Sequence, residues 1–232
     1  MHRQEWHRDT LLGHLPARVH GELLNLGTPV TYRPRHPMVR QGEDGRHALL
    51  LLAGAAKVVV HTELGRDVLV AFRSAGDLVG EMAVLEDRPR SASVIAMGPV
   101  RARLIHGQEL TDLMRRNGEI CLAIAWMVSA RLRWADRRRV EFVALEAPLR
   151  IGRVLVDIVS RYGRATVDGW DLGMSFSQTE IASLAGVALG TVEKALQTMQ
   201  REGLLRRYYR RIVITDLARL QKFSGVEPDT PY

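Results

Sequence analysis

The chain has 232 residues, of which 46% are hydrophobic and 25% are charged, a composition that is typical of globular proteins and excludes disordered or collagen-like chains. Its single cysteine, Cys121, excludes an internal disulfide and an iron–sulfur cluster held only by cysteines of one chain. The formal net charge is +7, and residues 131–232 contribute most of it, with 17 basic and 12 acidic side chains. A basic excess in this part favours a nucleic-acid partner.

The first hundred residues predict many short β-strands. Runs of apolar or β-branched residues alternate there with turn signals that contain glycine. Strands at this spacing indicate a β-sandwich or a small barrel. Short helices are expected before them, around Leu11 and around Leu23. The predicted strands are residues 30–32, 48–52, 56–61, 68–72 and 91–96.

A long helix is predicted after the strands. Residues 109–116 indicate a brief helix that ends at Asn117 and Gly118, and residues 119–145 contain neither glycine nor proline. At 1.5 Å per residue, the second helix would be ~40 Å long. The sevenfold series Ile120, Met127 and Trp134 resembles a coiled-coil seam. The helix is therefore either the seam of a dimer or a core helix against the strands.

The C-terminal part predicts a helix-turn-helix. Pro148 indicates a linker before a helix at residues 150–162. Ser177-Gln-Thr-Glu180 is a capping-box pattern that opens a helix ending at Gly186, and a three-residue turn leads to a second helix at residues 189–201. Such a second helix can enter the major groove of DNA.

The DNA-contacting residues follow from which side of the second helix is apolar. With Val192, Leu196 and Met199 facing inward, Lys194 and Gln197 can donate to base edges and Glu193 can accept from cytosine N4. We expect DNA contacts from the exposed face of the second helix and from the start of the first. These residues are Ser177, Gln178, Leu189, Gly190, Thr191, Glu193, Lys194 and Gln197.

Residues 204–214 predict a β-hairpin with a basic tip, called the wing below. Its arginines are expected to bind phosphates, which supplies affinity and salt dependence without sequence choice. The alternative is a plain helical hairpin followed by a solvated charged loop. The four wing arginines are Arg206, Arg207, Arg210 and Arg211.

Residues 80–92 predict an anion site. A glycine-led short helix begins at Gly80-Glu81-Met82, and Arg90 follows beside the small residues Ser91 and Ala92. Backbone N–H groups at the helix start can approach a phosphate, and the guanidinium of Arg90 matches its oxygens. Glu81 can accept a hydrogen bond from a sugar hydroxyl. The alternative is a tight turn with a surface ion pair.

This segment resembles the phosphate-binding cassette of the cyclic nucleotide-binding domain. With the long helix and the winged helix-turn-helix, residues 8–222 resemble the cyclic-AMP receptor protein / fumarate–nitrate regulator family of bacterial transcription factors. The resemblance implies an α+β fold with an N-terminal jelly-roll β-barrel as sensor domain (1–117), a long dimerisation helix and hinge (118–147) and a winged helix-turn-helix (148–232). It also implies a homodimer that binds double-stranded DNA, with RNA polymerase as a further partner.

Carried over by position, the ligand pocket comprises Gly80, Glu81, Met82, Arg90, Ser91, Ala92, Ala135 and Asp136. Arg90 and Ser91 would hold a cyclic phosphate, and Gly80 and Glu81 the ribose, so cyclic AMP or cyclic GMP is the implied effector and no cofactor is certain. Where the cyclic-AMP receptor offers consecutive Thr and Ser to adenine, this chain has Ala135 and Asp136. Asp136 could accept from an adenine amino group or from guanine N1 and N2; the alternative is a surface carboxylate paired with a neighbouring arginine.

The recognition helix also departs from the family. Leu189-Gly190 and Lys194 replace base-reading Arg-Glu and a later Arg, so we expect a different operator sequence. Ala188 stands where a capping Ser would, which costs the second helix about 1 kcal/mol.

Several function classes follow from these features. We expect a dimeric, sequence-specific DNA-binding regulator controlled by a cyclic nucleotide; the alternatives are a regulator of the same fold that is independent of cyclic nucleotides or senses another ligand, and a nucleotide-binding adaptor without DNA binding. No His-x-x-x-His pair, nucleophile elbow or Walker loop is present, so we expect no catalytic residue, no metal site and no enzyme. No apolar run reaches the roughly 18 residues of a membrane span, so we expect a cytoplasmic protein without a membrane partner.

Overall fold

The computed structural model describes residues 6–174, 176–209 and 211–226. Its contacts divide the chain into two compact units, residues 1–131 and 132–232. In the described ranges, no helix is long and apolar enough to cross a membrane.

The first unit begins with two short helices and a 3₁₀ turn (Ala17–Val19) between them, and continues with eight strands, two further complete helices and the first part of a long helix. The helices near Leu11 and Leu23 are therefore confirmed. In chain order the elements are α1 (Leu11–His14), α2 (His20–Leu24), β1 (Thr28–Tyr32), β2 (Pro37–Val39), β3 (His47–Ala53), β4 (Ala55–His61), β5 (Asp67–Ser74), β6 (Leu78–Val79), α3 (Glu81–Glu86), β7 (Ser93–Ala96), β8 (Val100–His106), α4 (Gly107–Arg116) and the first part of α5 (Gly118–Ala144).

The strands form two antiparallel sheets with the orders β1-β8-β3-β6 and β2-β7-β4-β5. Because no strand pairing joins one sheet to the other among the described residues, the expected barrel is not closed. The arrangement is that of a jelly roll, with the two sheets facing each other. The predicted fold class is confirmed with this correction.

The apolar run of β3 is buried on both faces. Its side chains alternate, so Leu49 and Leu51 face a core between the two sheets, whereas Ala48 and Leu50 face a second core formed with α1, α4 and α5. This double burial explains why residues 48–52 lack the polar alternation of a half-exposed strand.

The long helix α5 packs against the sensor unit through one side of its first three turns. Ile120, Ile124 and Met127 are at most 2% exposed and belong to the second core, and Trp134 donates to Asp157 within the other unit. The interpretation of Ile120 and Met127 as part of a dimer seam is therefore wrong, and the core-helix alternative holds for these two residues.

Asn117 begins the long helix instead of providing a glycine-type cap for the helix before it. Its backbone is extended (φ −127°, ψ 98°), and its side-chain oxygen accepts from the amides of Glu119 at 3.1 Å and Ile120 at 3.3 Å. These are donors that the start of a helix leaves without intrahelical partners.

The second unit contains the end of α5 followed by helices and a small sheet of order β11-β12-β10-β9. Pro148 lies in the first turn of α6, where its missing N–H costs nothing, so the predicted linker at this residue is wrong. The β9–β10 hairpin and α9 were not predicted. The elements are α6 (Ala147–Tyr162), β9 (Arg164–Thr166), β10 (Gly169–Asp171), α7 (Gln178–Ala185), α8 (Leu189–Arg201), β11 (Leu205–Tyr208), β12 (Arg211–Ile214) and α9 (Leu217–Phe223).

Candidate nucleotide and DNA sites

The structure brings Gly80 and Arg90 into contact. Gly80 has left-handed backbone geometry (φ 77°) and opens α3. Arg90 Nη1 donates to the Gly80 carbonyl at 2.6 Å, and Nη2 donates to the His47 carbonyl at 2.5 Å. A Cβ on residue 80 would stand 2.7 Å from Arg90 Nη1. Glycine is therefore required here by both the backbone angle and the close approach of the guanidinium.

Arg90 is a buried cation whose hydrogen bonds go to neutral groups. Its residue exposure is only 4%, and both acceptors are backbone carbonyls. Burial lowers the pKa of Arg90, while the negative charges of Glu81 and Glu43 act in the opposite direction. A buried charge without a paired counter-charge is costly, so this position is electrostatically complementary to an anion.

The segment around Arg90 also pairs with the loop at residues 42–43. The amide of Gly42 donates to the Arg90 carbonyl, and the amide of Arg90 donates to the Glu43 carbonyl, both at 2.9 Å. Ser91 is exposed, and Ala92 is half-buried. Met82 is 45% exposed on α3. The side chains of Ser91 and Met82 are therefore accessible to solvent, and that of Ala92 is partly accessible.

The carboxylate of Glu81 is bound by Arg131, a residue that was not predicted from the sequence. Glu81 is 2% exposed, and its Oε1 accepts from Arg131 Nη1 at 2.5 Å. Arg131 Nη2 donates to the Leu78 carbonyl at 2.7 Å and lies 3.5 Å from Asp77 Oδ1. A sugar hydroxyl at Glu81 would therefore share its carboxylate with Arg131. No spacing signal in the sequence links these residues, which are 50 positions apart.

The other two predicted pocket residues, Ala135 and Asp136, lie on the part of α5 that belongs to the second unit. Both are exposed. Neither residue therefore belongs to the unit that contains Gly80, Glu81 and Arg90.

The helix-turn-helix forms as predicted. The Ser177 Oγ accepts from the Glu180 amide at 3.2 Å, and Glu180 Oε2 accepts from the Ser177 amide at 2.9 Å, which is the reciprocal bonding of a capping box. Gly186 ends α7 with φ 61°, and Ala188 stands at the start of α8 without a side-chain cap.

The recognition helix α8 presents the predicted face. Val192, Leu196 and Met199 are completely buried. Ser177 is exposed at the start of α7, whereas Gln178 and Thr191 are half-buried. Thr198 and Gln200 are exposed on α8 and were not predicted as contacts. The exposed predicted residues of α8 are Leu189, Gly190, Glu193, Lys194 and Gln197.

The wing is the β11–β12 hairpin, and two of its arginines have carboxylate partners. Arg206 Nη1 lies 3.5 Å from Asp168 Oδ1, and Arg211 Nε donates to Asp171 Oδ2. Arg207 is half-buried. Arg210 lies outside the described residues. Arg206 and Arg211 are therefore less available to phosphates than the sequence indicates.

Matches to two family models decide the family. Residues 29–117 match the cyclic nucleotide-binding domain, and residues 149–223 match the Crp-like helix-turn-helix domain. The chain belongs to the CRP/FNR family of transcription regulators. Members of this family are DNA-binding regulators and not enzymes, which confirms both predictions. Within the described residues, no group of three or more His, Cys, Asp or Glu is placed to hold a metal ion.

Relatives from the CRP/FNR family cover most of the chain. A protein named CRP-like cAMP-activated global transcriptional regulator, from Mycobacterium tuberculosis strain H37Rv, is 25% identical over 84% of this chain and 87% of its own. The cAMP-activated global transcriptional regulator CRP of Salmonella typhimurium is 22% identical over 79% of this chain and 87% of its own length.

Solved structures show the same fold. FixK2 from Bradyrhizobium japonicum superposes with a TM-score of 0.72 at 22% identity, over 85% of this chain and 96% of its own. The c-di-GMP responsive regulator CLP from Xanthomonas campestris superposes with a TM-score of 0.75 at 21% identity, over 87% of this chain and 100% of its own.

Proposed function

We propose that the chain is a homodimeric, sequence-specific DNA-binding regulator whose DNA affinity is controlled by a cyclic nucleotide held at Arg90. The observation that carries the ligand assignment is the buried Arg90 guanidinium, which is hydrogen-bonded to two neutral carbonyls beside a left-handed glycine. A phosphate would supply the missing negative charge through charge-assisted hydrogen bonds. The names of the mycobacterial and Salmonella relatives, which include activation by cAMP, support the same ligand class.

Each cassette residue has a role in this proposal. Arg90 and Ser91 bind the cyclic phosphate, and Gly80 and Glu81 contact the ribose. Met82 and Ala92 line the pocket. Because Arg131 already holds one carboxylate oxygen of Glu81, a ribose hydroxyl binds Glu81 only in competition with Arg131 or beside it.

Ala135 and Asp136 supply the base preference. Ala135 has no side-chain hydrogen-bonding group, whereas the exposed carboxylate of Asp136 has two acceptor oxygens. Guanine offers two adjacent donors, N1 and N2, to such a carboxylate. We therefore propose that cyclic GMP binds more tightly than cyclic AMP.

The dimer contact proposed here uses the outer side of α5. Leu122, Leu132 and Val143 are 72%, 61% and 91% exposed, and their separations of 10 and 11 residues are close to three helical turns. These side chains therefore form one apolar stripe on the helix whose Ile120, Ile124 and Met127 are buried in the sensor core. A second copy of the helix would cover the stripe.

The DNA contacts divide into base and phosphate contacts. Glu193, Lys194 and Gln197 reach base edges, with Leu189 and Gly190 at the end of α8 that enters the groove. Ser177, Gln178 and Thr191 contact the backbone nearby, as do Arg206, Arg207, Arg210 and Arg211 from the wing. RNA polymerase is the further protein partner of this proposal, and the cytoplasm is its location.

Calorimetric titration with cyclic AMP and with cyclic GMP tests the ligand assignment. We expect saturable binding of cyclic GMP to the wild-type protein, weaker binding of cyclic AMP, and no binding of either to the Arg90→Met variant. Arg88→Met is the matched control because Arg88 is exposed two residues away. Wild-type protein that binds neither nucleotide but selects a DNA sequence from random duplexes would establish the nucleotide-independent alternative.

A further inference from the structure

Two arginines from outside the helix-turn-helix bind the C-terminal end of its first helix, α7. Arg138 Nη2, from α5, donates to the Leu184 carbonyl at 2.6 Å. Arg150 Nε, from α6, donates to the Ala185 carbonyl at 3.0 Å, and its Nη2 lies 3.4 Å from the Gly186 carbonyl. The last carbonyls of a helix lack intrahelical donors and form the negative end of the helix dipole. Cationic donors are therefore well matched to this end of α7.

Glu141 connects Arg138 to a third arginine. It is 5% exposed, and its two carboxylate oxygens accept from Arg138 Nη1 at 3.3 Å and from Arg153 Nη1 at 3.0 Å. Arg153 in turn donates to the carbonyls of Ser224 at 2.9 Å and Gly225 at 2.8 Å, at the end of α9. One buried carboxylate thus joins α5 to α6 and, through Arg153, to α9.

Arg150 also caps the C-terminal end of the long helix. Its Nη1 donates to the Leu145 carbonyl at 2.8 Å, so the same guanidinium binds the C-terminal ends of both α5 and α7. All of these residues belong to the second unit. The last two turns of α5 are therefore held to the helix-turn-helix by directional hydrogen bonds.

The recognition helix is attached directly to this network. Only Gly186, Val187 and Ala188 separate α7 from α8. A change in the direction of α7 relative to the end of α5 is therefore expected to change the direction of α8 as well.

We propose that Arg138, Glu141, Arg150 and Arg153, here called the arginine clamp, fix the angle between the long helix and the recognition helix and so determine which operator half-site spacing the dimer accepts. The inference rests on the proposed homodimer, in which paired long helices carry one recognition helix each. The clamp residues are positioning residues: Arg138 and Glu141 are buried, and none lies on the predicted DNA-contacting face of α8. Half-site spacing in such dimers is a geometric property, because one base pair of insertion rotates a half-site by ~34° about the DNA axis.

Because the clamp residues are charged, we expect them to set the direction of the recognition helix and to contribute little to the stability of the fold. Replacement of a buried ion pair by apolar side chains of similar volume is often neutral for stability, because desolvation offsets the attraction between the charges. Apolar replacements therefore separate the two roles, since they keep the packing and remove the directional bonds.

The test measures DNA affinity as a function of half-site spacing. A duplex selected from a random library by the wild-type, full-length protein is rebuilt with its half-sites moved by one or two base pairs in either direction. We expect wild-type affinity to fall about tenfold or more with each step, and the Arg138→Met/Glu141→Met variant to bind all five duplexes within about threefold of one another. A variant that was merely less stable would lose affinity equally for all spacings. Arg139→Met is the control because Arg139 is exposed on the same helix.

A second variant guards against misfolding. Glu141→Gln keeps the side-chain shape and removes the charge that joins Arg138 to Arg153, and thermal unfolding reports whether each variant is folded. A spacing profile of unchanged shape in the folded variants would overturn the clamp and leave the proposed function intact. Failure of the wild-type protein to select any duplex would overturn both.

Discussion

Arg131 Nη1 lies 2.5 Å from Glu81 Oε1, which places the guanidinium of a residue from the long helix on the first residue of the cassette helix α3. The same guanidinium lies 3.5 Å from Asp77 Oδ1. Glu81 and Asp77 are both buried. The middle of the long helix is therefore connected by an ion pair to the residue that is proposed to contact the ribose.

Removal of Arg131 is expected to destabilise the first unit strongly. Arg131→Leu leaves two buried carboxylates without their cation, which typically costs 3–5 kcal/mol, or about half of the stability of a domain. Urea denaturation measures this loss. Arg133→Leu, at an exposed position of the same helix, is expected to change the free energy of unfolding by less than about 0.5 kcal/mol. Equal effects of the two substitutions would contradict the assignment of the ion pair as a core contact.

Nucleotide affinity is expected to rise at acidic pH because of His47. Burial lowers the pKa of His47, and the positive charges of Arg90 and His106 act in the same direction, while Glu43 opposes them. An anion at Arg90 offsets the repulsion, raises the pKa of His47 towards its ordinary value and so favours proton uptake. Binding is then stronger below the ordinary pKa of about 6.5 than above it.

The pH effect is measured by calorimetry between pH 5.5 and 7.5 in buffers of different ionisation enthalpy. We expect wild-type protein to bind the nucleotide about threefold more tightly at the lower pH, with uptake of a fraction of a proton, since threefold corresponds to about half a pKa unit. His47→Gln is expected to bind without proton uptake, whereas His36→Gln, at an exposed position, behaves like wild type. Identical proton uptake by His47→Gln would exclude His47 as the group.

Asp157 is expected to lower stability at neutral pH. Burial raises the pKa of Asp157, although Arg138, Arg137 and Arg161 and the hydrogen bond from Trp134 act against that shift. Because the folded state holds this proton more tightly than the unfolded state, the ionised carboxylate costs stability above the folded-state pKa, and the cost disappears below the unfolded value of 3.8.

Asp157→Asn removes this cost and keeps an oxygen acceptor for Trp134. The variant is expected to unfold a few degrees higher than wild type at pH 7, with no gain at pH 3.5. Glu202→Gln, at an exposed position of the same unit, is the control in thermal unfolding at both pH values. A variant that melted lower than wild type at pH 7 would show that Asp157 is a favourable partner of the arginines.

The wing pair Arg206–Asp168 is expected to weaken DNA binding. Its two side chains are 60% and 52% exposed, and exposed pairs of this kind contribute at most about 1 kcal/mol. Asp168→Asn frees Arg206 for a phosphate, so we expect two- to fivefold tighter binding and a steeper dependence of log K on log[salt], by up to about 0.9. Fluorescence anisotropy over a salt series measures both quantities. Asp112→Asn, which frees Arg115 in the first unit, is expected to change neither.

The local features of the fold were readable from the sequence. The capping box at Ser177, the glycine that ends α7 and the apolar side of α8 are each encoded by residues that lie close together in the sequence. Strand β8 was missed because Arg101 and Arg103 interrupt its apolar residues; the Arg103 guanidinium in fact donates to the carbonyls of Leu26 and Gly27 at 2.8 and 2.6 Å. An arginine that caps backbone carbonyls looks like an ordinary surface residue in the sequence.

Contacts between residues far apart in the sequence were likewise not predicted. Gly80 and Arg90 were predicted because their types and spacing match a phosphate site, but the Arg131–Glu81 ion pair spans 50 positions. Ile120 and Met127 fit a sevenfold repeat as well as a core helix, so the sequence alone did not decide which side of α5 is buried. Only the packing of the sheet against the helix decides which side is buried.

Control of DNA binding by a cyclic nucleotide is tested most directly by the affinity of the full-length protein for its selected duplex with and without the nucleotide, measured by fluorescence anisotropy. We expect cyclic GMP to raise the wild-type affinity by about tenfold, within the range typical of allosteric coupling, and to leave the affinity of Arg90→Met unchanged. An affinity that was the same with and without cyclic AMP or cyclic GMP would contradict the proposal that an anion at Arg90 controls DNA binding.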